Sequence, residues 1–178
     1  MSIGLKRGTV EVVTYDPNWV IEFNTEKKKL LKVFGDKIVA IEHIGSTSIP
    51  DMPAKPIIDI NMAIQSLDDA KDFVKPLEKL GYQYMANRWF EDRYFFPKGP
   101  ESFRTHHLNL VEKTSETAWL YPILFRNYLI KHHEAKQQYI KLKKGLAGKY
   151  KNDREKYTEA KSEFVSEILA KAKLELKS

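Results

Sequence analysis

The residues whose types could support chemistry are concentrated between positions 42 and 61. A polar run, Gly45-Ser46-Thr47-Ser48, follows an apolar stretch that reads as a buried strand. A Gly-Ser turn exposes backbone N–H groups and hydroxyls that can hold a phosphate, and glycine lets the backbone approach closely. The same residue types also form ordinary turns and helix caps. The run alone therefore leaves a phosphate site and a structural turn both open.

One carboxylate, Asp59, lies inside the apolar stretch from Ile57 to Ile64. An unpaired buried charge is costly, so this side chain needs a partner. A carboxylate beside a phosphate-holding turn is suited to bind a divalent metal and bridge it to a nucleotide phosphate. An ion pair with a nearby Lys or Arg explains the residue equally well.

Two adjacent histidines, His106 and His107, fall in a later predicted strand. Successive strand residues point to opposite faces, so only one of them can enter a given site. We favour His107 because it shares a face with Asn109, and a neutral imidazole can bind metal or relay a proton. A hydrogen-bonded structural histidine is the alternative. Asp59 and His107 are thus the candidate catalytic and metal-binding residues, and His43, two residues before the turn, could reach the same site.

The candidate phosphate ligands beyond the turn are basic residues in or beside predicted strands. Guanidinium groups match phosphate geometry, although ion pairs with neighbouring acids are the competing interpretation. Tyr157 and Lys161 lie four residues apart, which favours packing of the C-terminal helices over lining a cleft. The full set of candidate nucleotide- and phosphate-binding residues is Gly45, Ser46, Thr47, Lys55, Arg93 and Arg104.

The elements that must position these residues alternate between strand and helix patterns. A chain of 178 residues can bury one substantial core, so we expect a single domain, with a sheet core over 1–112 and a helical appendage over 113–178. The pattern predicts an α/β fold with a mixed sheet of about five strands flanked by helices. The predicted strands are Val10 to Tyr15, Lys37 to Ile44, Ile57 to Ile64, Tyr82 to Met85, Glu91 to Phe96 and Arg104 to Val111.

Composition narrows the classes of function. The chain has no cysteine, which excludes disulfides, thiolate metal sites and thiol nucleophiles, and a reducing cytoplasm fits best. No stretch approaches the length of a membrane span. The net charge of +6 lies in residues 131–178, which hold 13 basic and 7 acidic residues. Such a segment can attract phosphates or nucleic acid, but Lys and Glu mixed along helices are more typical of a solvated surface.

These motifs resemble those of the GrpB family over nearly the whole chain. The central motif is Glu42-His43-Ile44-Gly45-Ser46-Thr47-Ser48 followed by Ala54-Lys55-Pro56-Ile57-Ile58-Asp59-Ile60. Further similar segments are Tyr15-Asp16-Pro17, Arg104-Thr105-His106-His107-Leu108, and Asp153-Arg154 with Tyr157 and Lys161.

The resemblance implies a minimal nucleotidyltransferase fold, in which a Gly-Ser turn holds nucleotide phosphates and strand carboxylates hold magnesium. Gly45 and Ser46 match the turn, and Asp59 matches the first acid of an Asp-x-Asp pair, but Asn61 occupies the second position. The first hypothesis is a protein that binds a nucleoside triphosphate with Mg²⁺ or Mn²⁺ and transfers a nucleotidyl group to an unidentified acceptor.

Two alternatives remain open. Asn61 in place of an acid favours a non-catalytic ligand-sensing or protein-interaction module on the same fold. The third hypothesis is RNA or DNA binding through the basic C-terminal helices, with tyrosines available for stacking.

Overall fold

The central element of the fold is a four-stranded mixed sheet. In the computed structural model, which describes residues 3–6, 9–85 and 90–177, the strand order is β2-β3-β6-β4. The strands β3 and β6 are parallel, and the β2–β3 and β4–β6 pairs are antiparallel. The strands are β1 (Leu5–Lys6), β2 (Ala40–Ile44), β3 (Ile58–Ile64), β4 (Arg93–Lys98), β5 (Phe103–Arg104) and β6 (His106–Glu112), of which β1 and β5 form a separate antiparallel pair.

Helices cover both faces of this sheet. They are α1 (Asn18–Phe34), α2 (Ala70–Lys79), α3 (Tyr121–Lys131), α4 (His133–Lys149), α5 (Arg154–Glu159) and α6 (Ser162–Glu175). Apolar residues of α1 and α2 pack against alternate residues of β3 and β6 in the main core. Residues of α3, α4 and α6 form a second core with Ile49 and Met52 from the β2–β3 connection. Among the residues that the structure describes, no helix is long and apolar enough to cross a bilayer.

The mixed α/β sheet flanked by helices is confirmed, but its central sheet has four strands rather than about five. The predicted strand at Val10 to Tyr15 contributes one bridge, in which Val13 exchanges backbone hydrogen bonds with Ala54 of the β2–β3 connection. The predicted strand at Tyr82 to Met85 likewise contributes a single bridge to the sheet edge. Tertiary pairing, which the local sequence pattern does not specify, limits how far both segments extend as strands.

The turn after β2 lets the backbone approach β3 very closely. Gly45 has φ 70° and ψ −174°, a conformation that residues with a Cβ rarely adopt. A Cβ built on Gly45 would lie 2.5 Å from Oδ2 of Asp59. The turn then continues as a short 3₁₀ helix, Ser46–Ser48. Glycine is therefore required here both by backbone conformation and by contact with a carboxylate.

We expect Gly45→Ala to destabilise the protein by about 2–3 kcal/mol, because the new Cβ meets Asp59 and the backbone is strained. The matched control is Gly145→Ala inside α4, where a built Cβ has no heavy atom within 4 Å. That change should stabilise the helix by about 0.5–1 kcal/mol. Urea unfolding gives the free energy of unfolding of both variants. Equal changes in that free energy would contradict the requirement for glycine at position 45.

Candidate functional site

The site is built on the parallel pairing of β3 with β6. The register places Asp59 opposite His107, and Asn61 opposite Asn109. Residues two apart on a strand share a face, so all four side chains lie on one side of the sheet. The alternate residues of the same strands enter the core with α1 and α2, so these polar groups face the C-terminal helices.

Asp59 and His107 form a direct pair. Nδ1 of His107 donates to Oδ1 of Asp59 over 3.0 Å, since an ionised carboxylate can only accept. Burial alone would raise the pKa of Asp59, but the hydrogen bond and charge of His107, followed by the charges of Lys55 and Arg154, outweigh it. The pKa of Asp59 is held below its usual 3.8, so this carboxyl group is ionised at neutral pH.

Beside this pair is a cavity of about 200 Å³, which we call the cationic cavity. Its basic residues come from four separate segments: Lys55 before β3, Lys143 of α4, Arg154 of α5, and Lys161 just before α6. The remaining lining residues are Gly45, Ser46, Thr47, Ile57, Asp59, His107, Tyr139 and Tyr157. The described lining of this small cavity thus holds four cationic groups and one carboxylate.

The lysines of the cationic cavity are held in unfavourable surroundings for a charged amine. Burial, and then the charges of Arg154 and Lys161, lowers the pKa of Lys55 from 10.5 to about 7. Burial and the neighbouring lysines lower the pKa of Lys143 to about 7 as well. Burial lowers the pKa of Lys161 to about 8, although Asp59 acts in the opposite direction. An added anion would relieve both desolvation and mutual repulsion.

Tyrosine rings separate the cations. The ring of Tyr157 lies between two of them, with Nζ of Lys55 5.0 Å and Nζ of Lys161 4.4 Å from its centroid. Nζ of Lys143 lies 4.9 Å from the ring centroid of Tyr139. These distances are those of cation–π contacts, which partly compensate buried positive charge. Burial raises the pKa of Tyr157 to about 12, so its phenol stays protonated at neutral pH.

His43 contacts the turn through the side chain of Thr47. Its Nε2 lies 3.0 Å from Oγ1 of Thr47, and that hydroxyl donates to the carbonyl of Ile57 over 3.2 Å. The His43 ring stacks on Phe23 with a centroid distance of 4.7 Å. Burial lowers the pKa of His43 to about 4, which keeps it neutral. His43 therefore reaches the turn, as its position suggested, but it does not line the cationic cavity.

His106 lies on the opposite face of the sheet from His107, as strand alternation predicts. Its Nδ1 is 2.9 Å from Oγ1 of Thr105, and burial lowers its pKa to about 4. The nearest charges that act on it include Glu26, which accepts from Lys98 over 2.5 Å. His106 belongs to this buried polar network beneath α1, away from the cationic cavity.

Two predicted phosphate ligands, Arg93 and Arg104, do not line the cationic cavity, and phosphate binding by them stays a prediction. Arg93 is on β4, at the sheet edge opposite β2, where its Nε lies 3.0 Å from Oδ1 of Asp92. Arg104 is on β5 and donates to Oε1 of Gln83 over 2.9 Å and to the carbonyl of Gly99. Strand order and these local contacts keep both guanidinium groups away from the cationic cavity. The structure does bring together Gly45, Ser46, Thr47, Lys55, Asp59 and His107.

Sequence reasoning missed most of the cations. Lys143 follows Tyr139 by four residues and therefore falls on the apolar stripe of α4, which was a usable signal for an inward-facing lysine. Arg154, Tyr157 and Lys161 recur at helical spacing, but packing was favoured for the last two. Lys161 is also not one turn further along the same helix, because α5 ends at Glu159 and α6 begins at Ser162.

The donor set gives little support to a metal pair. Among the described residues, no group of three or more His, Asp or Glu side chains could hold a metal ion. The amide of Asn61 is already used, because its Nδ2 donates to the carbonyl of Ala118 over 2.6 Å. These residues do not fit a two-metal centre. Metal binding by Asp59 and His107 stays a prediction.

Two known proteins are similar to this chain over more than nine tenths of its length. UPF0157 protein YqkA of Bacillus subtilis is 36% identical over 164 residues, which cover 92% of this chain and 47% of YqkA. Glutamate-rich protein GrpB of Alkalihalophilus pseudofirmus is 36% identical over 171 residues, covering 94% of this chain and 98% of that protein. The chain thus spans about half the length of YqkA but nearly all of the second relative. Dephospho-CoA kinase of Mycobacterium tuberculosis is 35% identical over only 81 residues, or 20% of its own length.

Two solved structures and a family model complete the comparison. The crystal structure of conserved protein GrpB from Enterococcus faecalis matches with a TM-score of 0.87 and 32% identity, covering 94% of this chain and 100% of that one. The Cid1 poly(U) polymerase matches with a TM-score of 0.52 and 13% identity over 77% of this chain and 43% of that one, a likeness of fold alone. The family model described as GrpB protein matches residues 9–171. The chain therefore belongs to the GrpB family, on a fold similar to that of a nucleotidyltransferase.

Proposed function

We propose that this protein binds a nucleotide carrying two or more phosphate groups, with the phosphates in the cationic cavity. The observation that carries the proposal is the charge of the lining. Among the described residues that line the cationic cavity, Lys55, Lys143, Lys161 and Arg154 are basic and Asp59 is the one acid. When all these groups are charged, the lining carries an excess of three positive charges.

The energetics of the cationic cavity favour a multivalent anion. Partly buried amines lose hydration, and the cations repel one another, which is why burial and neighbouring charges depress the lysine pKa values. A diphosphate carries about three negative charges at neutral pH and offers many acceptor oxygens. Lysine ammonium groups and the arginine fork are the side chains best suited to those oxygens. The ligand would therefore offset the excess charge almost completely.

Two relatives support a nucleotide as the source of these phosphates. One is named a poly(U) polymerase and shares the fold, and the other is named a dephospho-CoA kinase and matches part of the chain. Binding is the part of the function that the geometry supports. Two-metal transfer of a nucleotidyl group relies on several carboxylate ligands, whereas this site offers Asp59, which is already paired with His107. Catalysis is therefore not part of this proposal.

The contribution of the buried cations can be isolated on a single helix. We expect Lys143→Met to weaken binding of inorganic pyrophosphate at least about tenfold, because a charge-assisted contact contributes about 1.5–3 kcal/mol. Lys144→Met is the matched control, since Lys144 is the exposed neighbour in α4 and does not line the cavity. Isothermal titration calorimetry measures both. Equal affinities for the two folded variants would contradict the proposal.

Asp59→Asn separates direct binding of the anion from binding through a metal. If the cations hold pyrophosphate directly, removing the carboxylate charge should strengthen binding several-fold without added metal, roughly what one charge within the cavity contributes. If Asp59 holds a metal that bridges to phosphate, the same variant should lose binding that depends on Mg²⁺ or Mn²⁺. Titrations with EDTA and with each metal distinguish the two results.

The lysine pKa values make anion affinity depend on pH. Between about pH 6 and about pH 9 the amines with pKa near 7 and 8 lose their protons in the free protein, whereas sulfate stays a dianion over this range. An anion requires the charged amines, so sulfate affinity should fall as pH rises, by about tenfold or more. Binding at neutral pH should also take up protons, which calorimetry in buffers of different ionisation enthalpy detects. A sulfate affinity that does not change between about pH 6 and about pH 9 would contradict this prediction.

A further inference from the structure

A second cavity lies against the first. This apolar cleft, of about 340 Å³, is walled mainly by Ile44, Tyr121, Pro122, Phe125, Val165 and Leu169. Gly45 and Asp59 line both it and the cationic cavity, so the two spaces meet at the turn and its carboxylate. We propose that the apolar cleft holds the base of the nucleotide whose phosphates occupy the cationic cavity, and that Asn109 selects a base with an amino group. This inference rests on the proposed function.

The walls of the apolar cleft suit a flat ring. Tyr121 and Phe125 of α3 face the site together with Val165 and Leu169 of α6. A space of this volume, lined by aromatic and aliphatic side chains with few polar groups, is typical of a pocket for the apolar part of a small ligand. The cationic cavity suits a ring less well, because four of its lining residues are basic.

A chain of amides fixes the orientation of the Asn109 side chain. The carbonyl of Ala118 can only accept, so the group of Asn61 that faces it, 2.6 Å away, must be Nδ2. Oδ1 of Asn61 is therefore turned toward Asn109, and it accepts from Nδ2 of Asn109 over 3.0 Å. This leaves Oδ1 of Asn109 as the atom of that amide which can accept from a ligand. Asn109 lines the apolar cleft, where such an acceptor would recognise an amino group on a ring.

Asp59 at the junction constrains the part of the ligand between phosphate and ring. An ionised carboxylate repels phosphate oxygens and accepts hydrogen bonds from hydroxyls. A sugar supplies hydroxyl donors and no charge at that point. Phosphates among the cations, a sugar at Asp59 and a ring in the apolar cleft together describe a nucleotide.

The test compares ligands that do and do not reach the apolar cleft. ATP and CTP should bind about tenfold or more tightly than inorganic pyrophosphate, since they add a buried ring. Leu169→Gln should reduce this advantage while leaving pyrophosphate affinity unchanged, which also shows that the variant is folded. Leu174→Gln, the same change on the same helix at a side chain that is 68% exposed, should have no effect.

Specificity at Asn109 is tested with pairs that exchange an amino group for a carbonyl. ATP should bind about fivefold or more tightly than ITP, and CTP than UTP, because a carbonyl oxygen would face the acceptor Oδ1 of Asn109. Asn109→Leu should abolish both preferences.

The cleft assignment would be overturned if pyrophosphate bound as tightly as ATP and CTP. It would also be overturned if Leu169→Gln weakened pyrophosphate binding as much as ATP binding. Equal affinities within each pair would overturn the role of Asn109. Failure of every ligand, pyrophosphate included, would instead overturn the proposed function.

Discussion

The parallel pairing of β3 with β6 is the constraint on which the site depends. Both strands are apolar and buried, so each polar side chain on the face toward the C-terminal helices must find a partner there. The register supplies partners directly, by placing Asp59 opposite His107 and Asn61 opposite Asn109. Each pair is joined at 3.0 Å. The sheet thus holds a carboxylate and an amide in fixed orientation, and the turn at Gly45 approaches the carboxylate from the adjacent strand.

The helical appendage adds the positive charge. Lys143, Arg154 and Lys161 reach the site from different segments, although much of the basic excess of this region is exposed to solvent. Folding brings these cations together against their repulsion, and Tyr157 between Lys55 and Lys161 compensates only part of that cost. Burial and mutual repulsion of these cations cost folding free energy, and the anion of the proposed function would offset that cost.

The parts of the site that could be predicted are those governed by strand geometry. Alternation separated His106 from His107, and the polar run after β2 located the turn at Gly45, because both depend on neighbours in sequence. Among the appendage cations Lys143 carried a usable signal, its four-residue spacing from Tyr139, because an inward lysine of α4 and an exposed one differ only in their position around the helix. The distance of Arg93 and Arg104 from the turn could not be predicted, because strand order across the sheet depends on long-range pairing. The same dependence reduced two predicted strands, Val10 to Tyr15 and Tyr82 to Met85, to one bridge each.

Because Asn61 and Asn109 are uncharged, they add no negative charge to the site. Carboxylates at both positions, beside Asp59, would repel one another and require a cation between them. Amides can instead be buried while hydrogen-bonded to each other and to the carbonyl of Ala118, and they add no charge. With the lysines and Arg154 nearby, the described lining of the cationic cavity holds more basic than acidic side chains, and the proposed ligand is therefore an anion. In the proposed complex the ligand phosphates supply that anion, and Oδ1 of Asn109 reads the base.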